Sequence, residues 1–209
     1  MVECVVMAII AYLIGSINFS VILSKKMAGF DVREKGSGNA GTTNMLRSVG
    51  KKAAAITLAC DILKGVVAIL IAMLIGRMVE GSNAALLVQV AGVAVILGHT
   101  FPIFFKFKGG KGVATSLGVL IMSNWQIGLI CLVFALILMA LTQMVSVGSI
   151  AAAILYPVLT LFIPQNYIVP GNYLIYSIIL AVLIVFNHRE NVKRLLNGTE
   201  NRISFKGTK

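Results

Sequence analysis

Charge is scarce in this chain: Asp, Glu, Lys and Arg together make up only 12% of it. A soluble domain carries about 25% charge, so the shortage excludes an ordinary water-soluble fold. Cysteine is scarcer still. Cys4, Cys60 and Cys131 each sit inside an apolar run, which excludes a disulfide scaffold and leaves them as small hydrophobes. No internal repeat and no low-complexity tract is present, so collagen and disordered-tail compositions are excluded as well. The amino terminus lacks a basic n-region and a small-residue cleavage pattern, so Val2 to Leu23 reads as a retained span and not a signal peptide.

What is present is apolar and basic. Hydrophobic residues make 58% of the sequence, and 18 Lys and Arg face seven Asp and Glu for a net charge of +11. A transmembrane helix needs roughly 20 apolar residues. Val2 to Leu23, Ala53 to Ile75, Ala84 to Phe104 and Met144 to Phe162 meet that length, and Tyr173 to Phe186 is shorter but uncharged. Between Val113 and Leu141, the polar run Ser123-Asn124-Trp125-Gln126 marks a turn between two further spans. Charge parity requires that split. Residues 24–52, 105–112 and the tail from Arg189 onward hold 16 of the 18 basic residues, and the positive-inside rule puts all three in the cytoplasm. The expected fold is therefore all-α, one polytopic domain over 1–209 with seven transmembrane helices, amino terminus outside and carboxyl terminus cytoplasmic.

Three polar motifs fall on that one face. The first runs Gly36-Ser37-Gly38-Asn39-Ala40-Gly41-Thr42-Thr43-Asn44-Met45-Leu46-Arg47. Its glycines let backbone N–H groups converge on an anion, Thr42 or Thr43 is a candidate cap for a short helix ending at Gly50, and Arg47 offers a fork to phosphate. The second places Lys111 between glycines in Gly109-Gly110-Lys111-Gly112 at the start of a span, where an ammonium and helix N–H groups point the same way. It is not a Walker A loop, because Phe105 and Gly112 replace that motif's first Gly and its Ser/Thr. Aromatics alternating with Lys106 and Lys108 read as interfacial anchors. The third, His188-Arg189-Glu190-Asn191 through Gly198-Thr199-Glu200, reads as a helical continuation of the last span, with Glu190 and Arg194 as a surface pair. Ser146 and Ser149 lie near the same face and either donate to a phosphate or bond back to their helix. Asp61 and Lys64, three apart within a span, read as a structural pair, and His99 as either a packing residue or part of a site. Together the motifs form a receptor for polyanions, with no metal site, no cofactor and no nucleic acid expected.

These three motifs, in this order and orientation, resemble the PlsY type of bacterial acyl-phosphate glycerol-3-phosphate acyltransferases over nearly the whole chain. The resemblance implies transfer of a fatty acyl group from acyl phosphate to the 1-hydroxyl of sn-glycerol 3-phosphate, giving lysophosphatidic acid and phosphate, at the cytoplasmic face of the bacterial inner membrane. It also implies an upstream soluble enzyme that supplies acyl phosphate, and a working environment of membrane lipid. By the same resemblance Ser37, Arg47, Lys111, His188 and Asn191 are the catalytic and glycerol-3-phosphate-binding set. Gly38, Asn39, Thr43, Asn44, Gly109, Gly110, Gly112 and Ser149 are implied in substrate binding, and Glu200 in structure. The His and Asp four residues apart of the soluble glycerophosphate acyltransferases are absent, since Ile103 follows His99 and Val192 follows His188 at that spacing. The alternative from another class is an organic-phosphate transporter or channel.

Overall fold

The computed structural model describes residues 1–163 and 168–203, so Lys206 and Lys209 of the basic tail lie outside it. Among the described residues all regular structure is helical: α1 (Val2–Ser16), α2 (Phe19–Ala28), α3 (Thr42–Ser48), α4 (Lys51–Met78), α5 (Ala84–Thr100), α6 (Val113–Ser123), α7 (Trp125–Thr142), α8 (Val145–Phe162), α9 (Leu174–Asn187) and α10 (Arg189–Leu196), with short 3-10 turns at Val32–Glu34 and Ile103–Phe105. Five helical segments are long and apolar enough to cross a membrane, counting α1 with α2 as one, or six if the bent pair α9 and α10 is a single span. The seventh expected span is α6, whose 11 residues rise only about 16 Å. The break between α6 and α7 falls at Asn124, in extended conformation, within the polar run that marked it.

Packing divides the chain into two units. The first spans 1–125 and takes in 168–172. There α1 packs along α5, and α4 against α5 and α6. With lipid as apolar as the side chains, helices associate through close backbone approach, and glycine permits it. A Cβ on Gly98 would overlap the Tyr12 carbonyl, and one on Gly118 would overlap that of Ile62. The expected Asp61–Lys64 pair is buried in this unit at 2.9 Å.

The second unit covers 126–163 and 173–203. In it α8 packs on α9, and Gly148 lies so close to Ala135 and Met139 of α7 that a side chain there would collide with both.

Candidate functional site

Segment 29–50 of the first unit folds over an apolar core of its own, Val21, Val32, Ala40, Met45, Ala53 and Ala54. Gly36 and Gly38 turn the loop with φ of 58° and 70°. Asn44 was expected at the substrate, but its side chain is buried and committed to the loop. Its Nδ2 donates to the carbonyls of Val32, Lys35 and Asn39 at 2.9–3.0 Å, and its Oδ1 accepts from the Ser37 N–H at 2.9 Å. The Gly38 N–H bonds to the Lys35 carbonyl, so it too serves the turn. Neither Thr42 nor Thr43 caps α3; Gly41 precedes the helix and both threonines are inside it. Asn39 is half-buried, while Ser37 and Arg47 are exposed.

A second arginine does the structural work that sequence could not separate from Arg47. Arg33 forks onto Asp31 (Nε–Oδ1 3.0 Å, Nη2–Oδ2 2.7 Å), and its Nη1 reaches the carbonyls of Phe105 and Lys108 at 2.7 and 3.0 Å. This clamp ties the first motif's loop to the second's. The Arg33 hydrogen bond holds the Asp31 carboxyl below its ordinary range, against the opposing effect of burial. A carboxylate lowered on folding stabilises at pH values above its unfolded pKa of about 3.9, and that contribution is lost as pH falls through the lower folded value. Asp31→Asn is therefore expected to lower the melting temperature by several degrees at pH 7 and by much less at pH 3, as read by thermal unfolding in detergent. An equal drop at both pH values would contradict the ionic clamp.

In the second motif, Gly109 and Gly110 turn their N–H groups back onto the end of α5, donating to the carbonyls of Thr100 and His99 at 3.1 Å each. Those two donors hold the fold, which corrects the expectation that the glycine backbone as a whole cradles an anion. Gly112, at φ 84°, starts α6. Lys111 is half-buried between them, beside the first turn of α6, whose leading N–H groups have no partner within that helix. Gly110 is wedged: a Cβ there would overlap Nε2 of His99 and stand 2.6 Å from the Ala40 carbonyl of the first motif. The two motifs thus meet at backbone distance.

The third motif lies in the second unit and does not continue the last span straight. Between α9 and α10 the chain bends by 61° at His188. His188 is buried, and its Nδ1 lies 2.8 Å from the Ile184 carbonyl. A carbonyl only accepts, so Nδ1 carries the proton and Nε2 of the neutral ring is the acceptor. Glu200 accepts from Ser146 Oγ at 2.8 Å, Asn191 Nδ2 at 2.7 Å and Arg194 Nε at 2.9 Å. Burial raises its carboxyl, but these donors outweigh burial and hold it below the ordinary range. Arg194 therefore serves Glu200, and Glu190 pairs instead with Lys193. Asn191, implied at the substrate, has one amide proton engaged by this hub. The Ser149 hydroxyl donates to the Val145 carbonyl of its own helix at 2.9 Å, the back-bonded alternative, and Ser146 goes to Glu200.

The profile of the Glycerol-3-phosphate acyltransferase family matches residues 5–198. The chain belongs to that family. As an acyltransferase of this kind it is 46% identical to the glycerol-3-phosphate acyltransferase of Thermoanaerobacter pseudethanolicus, over 97% of this chain and 96% of that one. It is 43% identical to that of Clostridioides difficile over the same shares. Two crystal structures of PlsY, an integral membrane glycerol 3-phosphate acyltransferase, superpose on this acyltransferase. The glycerol 3-phosphate form gives a TM-score of 0.84 at 37% identity, covering 96% of each chain. The lysophosphatidic acid form gives 0.82 at 36%, covering 96% of this chain and 95% of that one. The acyltransferase is accordingly of the PlsY type, an integral membrane protein of phospholipid synthesis.

Proposed function

We propose that the protein acylates the 1-hydroxyl of sn-glycerol 3-phosphate with acyl phosphate as donor, releasing lysophosphatidic acid and inorganic phosphate at the cytoplasmic face of the inner membrane. The observation that carries this reading is the junction of the first two motifs. Arg33 and Gly110 tie the two loops together, which supports reading Arg47 and Lys111, one on each motif, as parts of one cationic surface. On this reading the topology has seven spans, α6 among them, with the amino terminus outside. A soluble enzyme supplies the acyl phosphate.

The chemistry needs no covalent enzyme intermediate, because an acyl phosphate is a mixed anhydride whose phosphate leaves readily. The substrate hydroxyl attacks the acyl carbonyl, an ester C–O bond forms, and the carbonyl C–O bond to phosphate breaks. The departing phosphate carries away the negative charge. Fixed cations and donors of the first unit, Arg47 and Lys111 foremost with Ser37, bind phosphate and orient it, which is proximity and electrostatic catalysis; Asn191 is the binding group that the family resemblance implies in the second unit. The family resemblance makes His188 the candidate to receive the hydroxyl proton, which a ring that keeps its Nδ1 proton on the Ile184 carbonyl would take at Nε2; the substrate phosphate is the competing acceptor.

Purified protein given palmitoyl phosphate and glycerol 3-phosphate is expected to release phosphate only when both are present. Release that ignores glycerol 3-phosphate, or none at all, overturns the reading. His188→Gln is expected to lower kcat by ~100-fold and to flatten the acid limb of the pH–rate profile. A retained kcat with a raised KM would make His188 a binding group only.

A further inference from the structure

Within the first unit three ionisable groups are buried together at the end of α5 nearest the glycine loop. Lys64 Nζ lies 2.9 Å from Asp61 Oδ1 and 2.8 Å from His99 Nδ1. It also donates to the carbonyls of Gly15 and Ile17 at 3.1 Å each, and stands over the Phe19 ring at 5.9 Å. Those carbonyls are orphaned where α1 breaks before α2, and a lysine is a fitting partner for a helix carboxyl end. His99 Nδ1 also lies 3.5 Å from Asp61 Oδ1, so the three side chains form one cluster, and the other ring nitrogen of His99, Nε2, lies against Gly110. The same residue passes its own carbonyl to the Gly110 N–H at 3.1 Å, and Thr100 passes its carbonyl to Gly109.

Ionisable residues at membrane depth are costly to keep. A pair needed only to hold helices together could be replaced by apolar contacts at little loss. Here the ion pair is joined by His99, against which the Gly109-Gly110 turn before Lys111 rests. We propose that Asp61, Lys64 and His99 are positioning residues. They join the broken end of α1, α4 and the last turn of α5 into a pedestal that fixes the height and register of Gly109-Gly110-Lys111, and through Gly110 the Ala40 backbone of the first motif. None of the three needs to touch substrate. This rests on the reading of Lys111 as a phosphate-binding group.

Two variants of the full chain in detergent test the pedestal, Asp61→Asn/Lys64→Met, which removes both charges together, and His99→Gln, which leaves the ion pair intact. Each is read by amide hydrogen exchange and by steady-state kinetics with palmitoyl phosphate. Exchange across 105–112 is expected to quicken at least ~10-fold while residues 84–95 keep their protection, and kcat/KM for glycerol 3-phosphate to fall at least ~10-fold, since small misplacements of a binding group cost about that much or more. Exchange and kcat/KM both within ~3-fold of wild type would overturn the proposal. So would protection lost equally through α1, α4 and α5, which would make the cluster a plain tie between helices. If the double variant does not fold, His99→Gln decides by the same criteria. Wild-type protein that fails to turn over acyl phosphate would sink the substrate reading, while the exchange data still decide the pedestal.

Discussion

Arg47→Ala is expected to lower kcat/KM by at least ~100-fold, the size of effect produced by losing one transition-state donor, with the melting temperature unchanged. The contrast with Arg33 explains both halves of that expectation. Arg33 spends its guanidinium on Asp31 and two backbone carbonyls. Arg47 sits exposed one helix later, and among the described residues no ion pair or hydrogen bond holds it. Removing it costs the fold little and removes a planar fork suited to phosphate. Arg47→Lys keeps the charge but loses the fork, so it should recover only part of the activity. Kinetics and thermal unfolding on the same preparations check this; near-normal turnover by Arg47→Ala would remove the residue from the site.

Gly110→Ala is expected to be as damaging, by a different route. The added methyl would overlap His99 Nε2 and press on the Ala40 carbonyl at 2.6 Å, and neither neighbour is the free end of a flexible chain. The loop must move, and Lys111 moves with it. A loss of ~100-fold in kcat/KM is expected from a shift of about 1 Å. Gly81→Ala provides the comparison, since φ is +74° there but nothing lies within 4 Å. It should cost some stability through backbone strain and leave kcat/KM alone. If Gly110→Ala behaved like Gly81→Ala, the tight junction of the two motifs would have no functional weight.

Much of the scaffold could be read from the chain because hydrocarbon enforces simple rules. Apolar length marked the long helices, and the run Ser123 to Gln126 marked the break before α7. The Asp61–Lys64 pair was legible from helical spacing. What spacing could not show was which polar groups are already spoken for. Asn44, Ser146 and Ser149 have the same chemistry as ligand-binding residues, and only the fold reveals that their hydrogen bonds close on the protein. Arg33 and Arg47 are equally basic in the sequence, and a fork to Asp31 two residues back separates them. The bend at His188 was hidden as well, because no proline or glycine marks it. The role of His99 depended on its meeting Lys64 from 35 positions away, a distance at which no local pattern operates.

The shortness of α6 bears on how a greasy donor reaches a water-loving acceptor. Eleven residues cover about 16 Å of a hydrocarbon layer roughly 30 Å thick. On the seven-span reading the reacting centre near Lys111 is sunk below the lipid headgroups. Hauling a sixteen-carbon tail into water would cost on the order of 12 kcal/mol at about 0.8 kcal/mol per methylene. A recessed floor spares the tail that journey. On that reading the small, soluble glycerol phosphate would descend to the lipid, and the product would already be in place as a bilayer component when the ester forms.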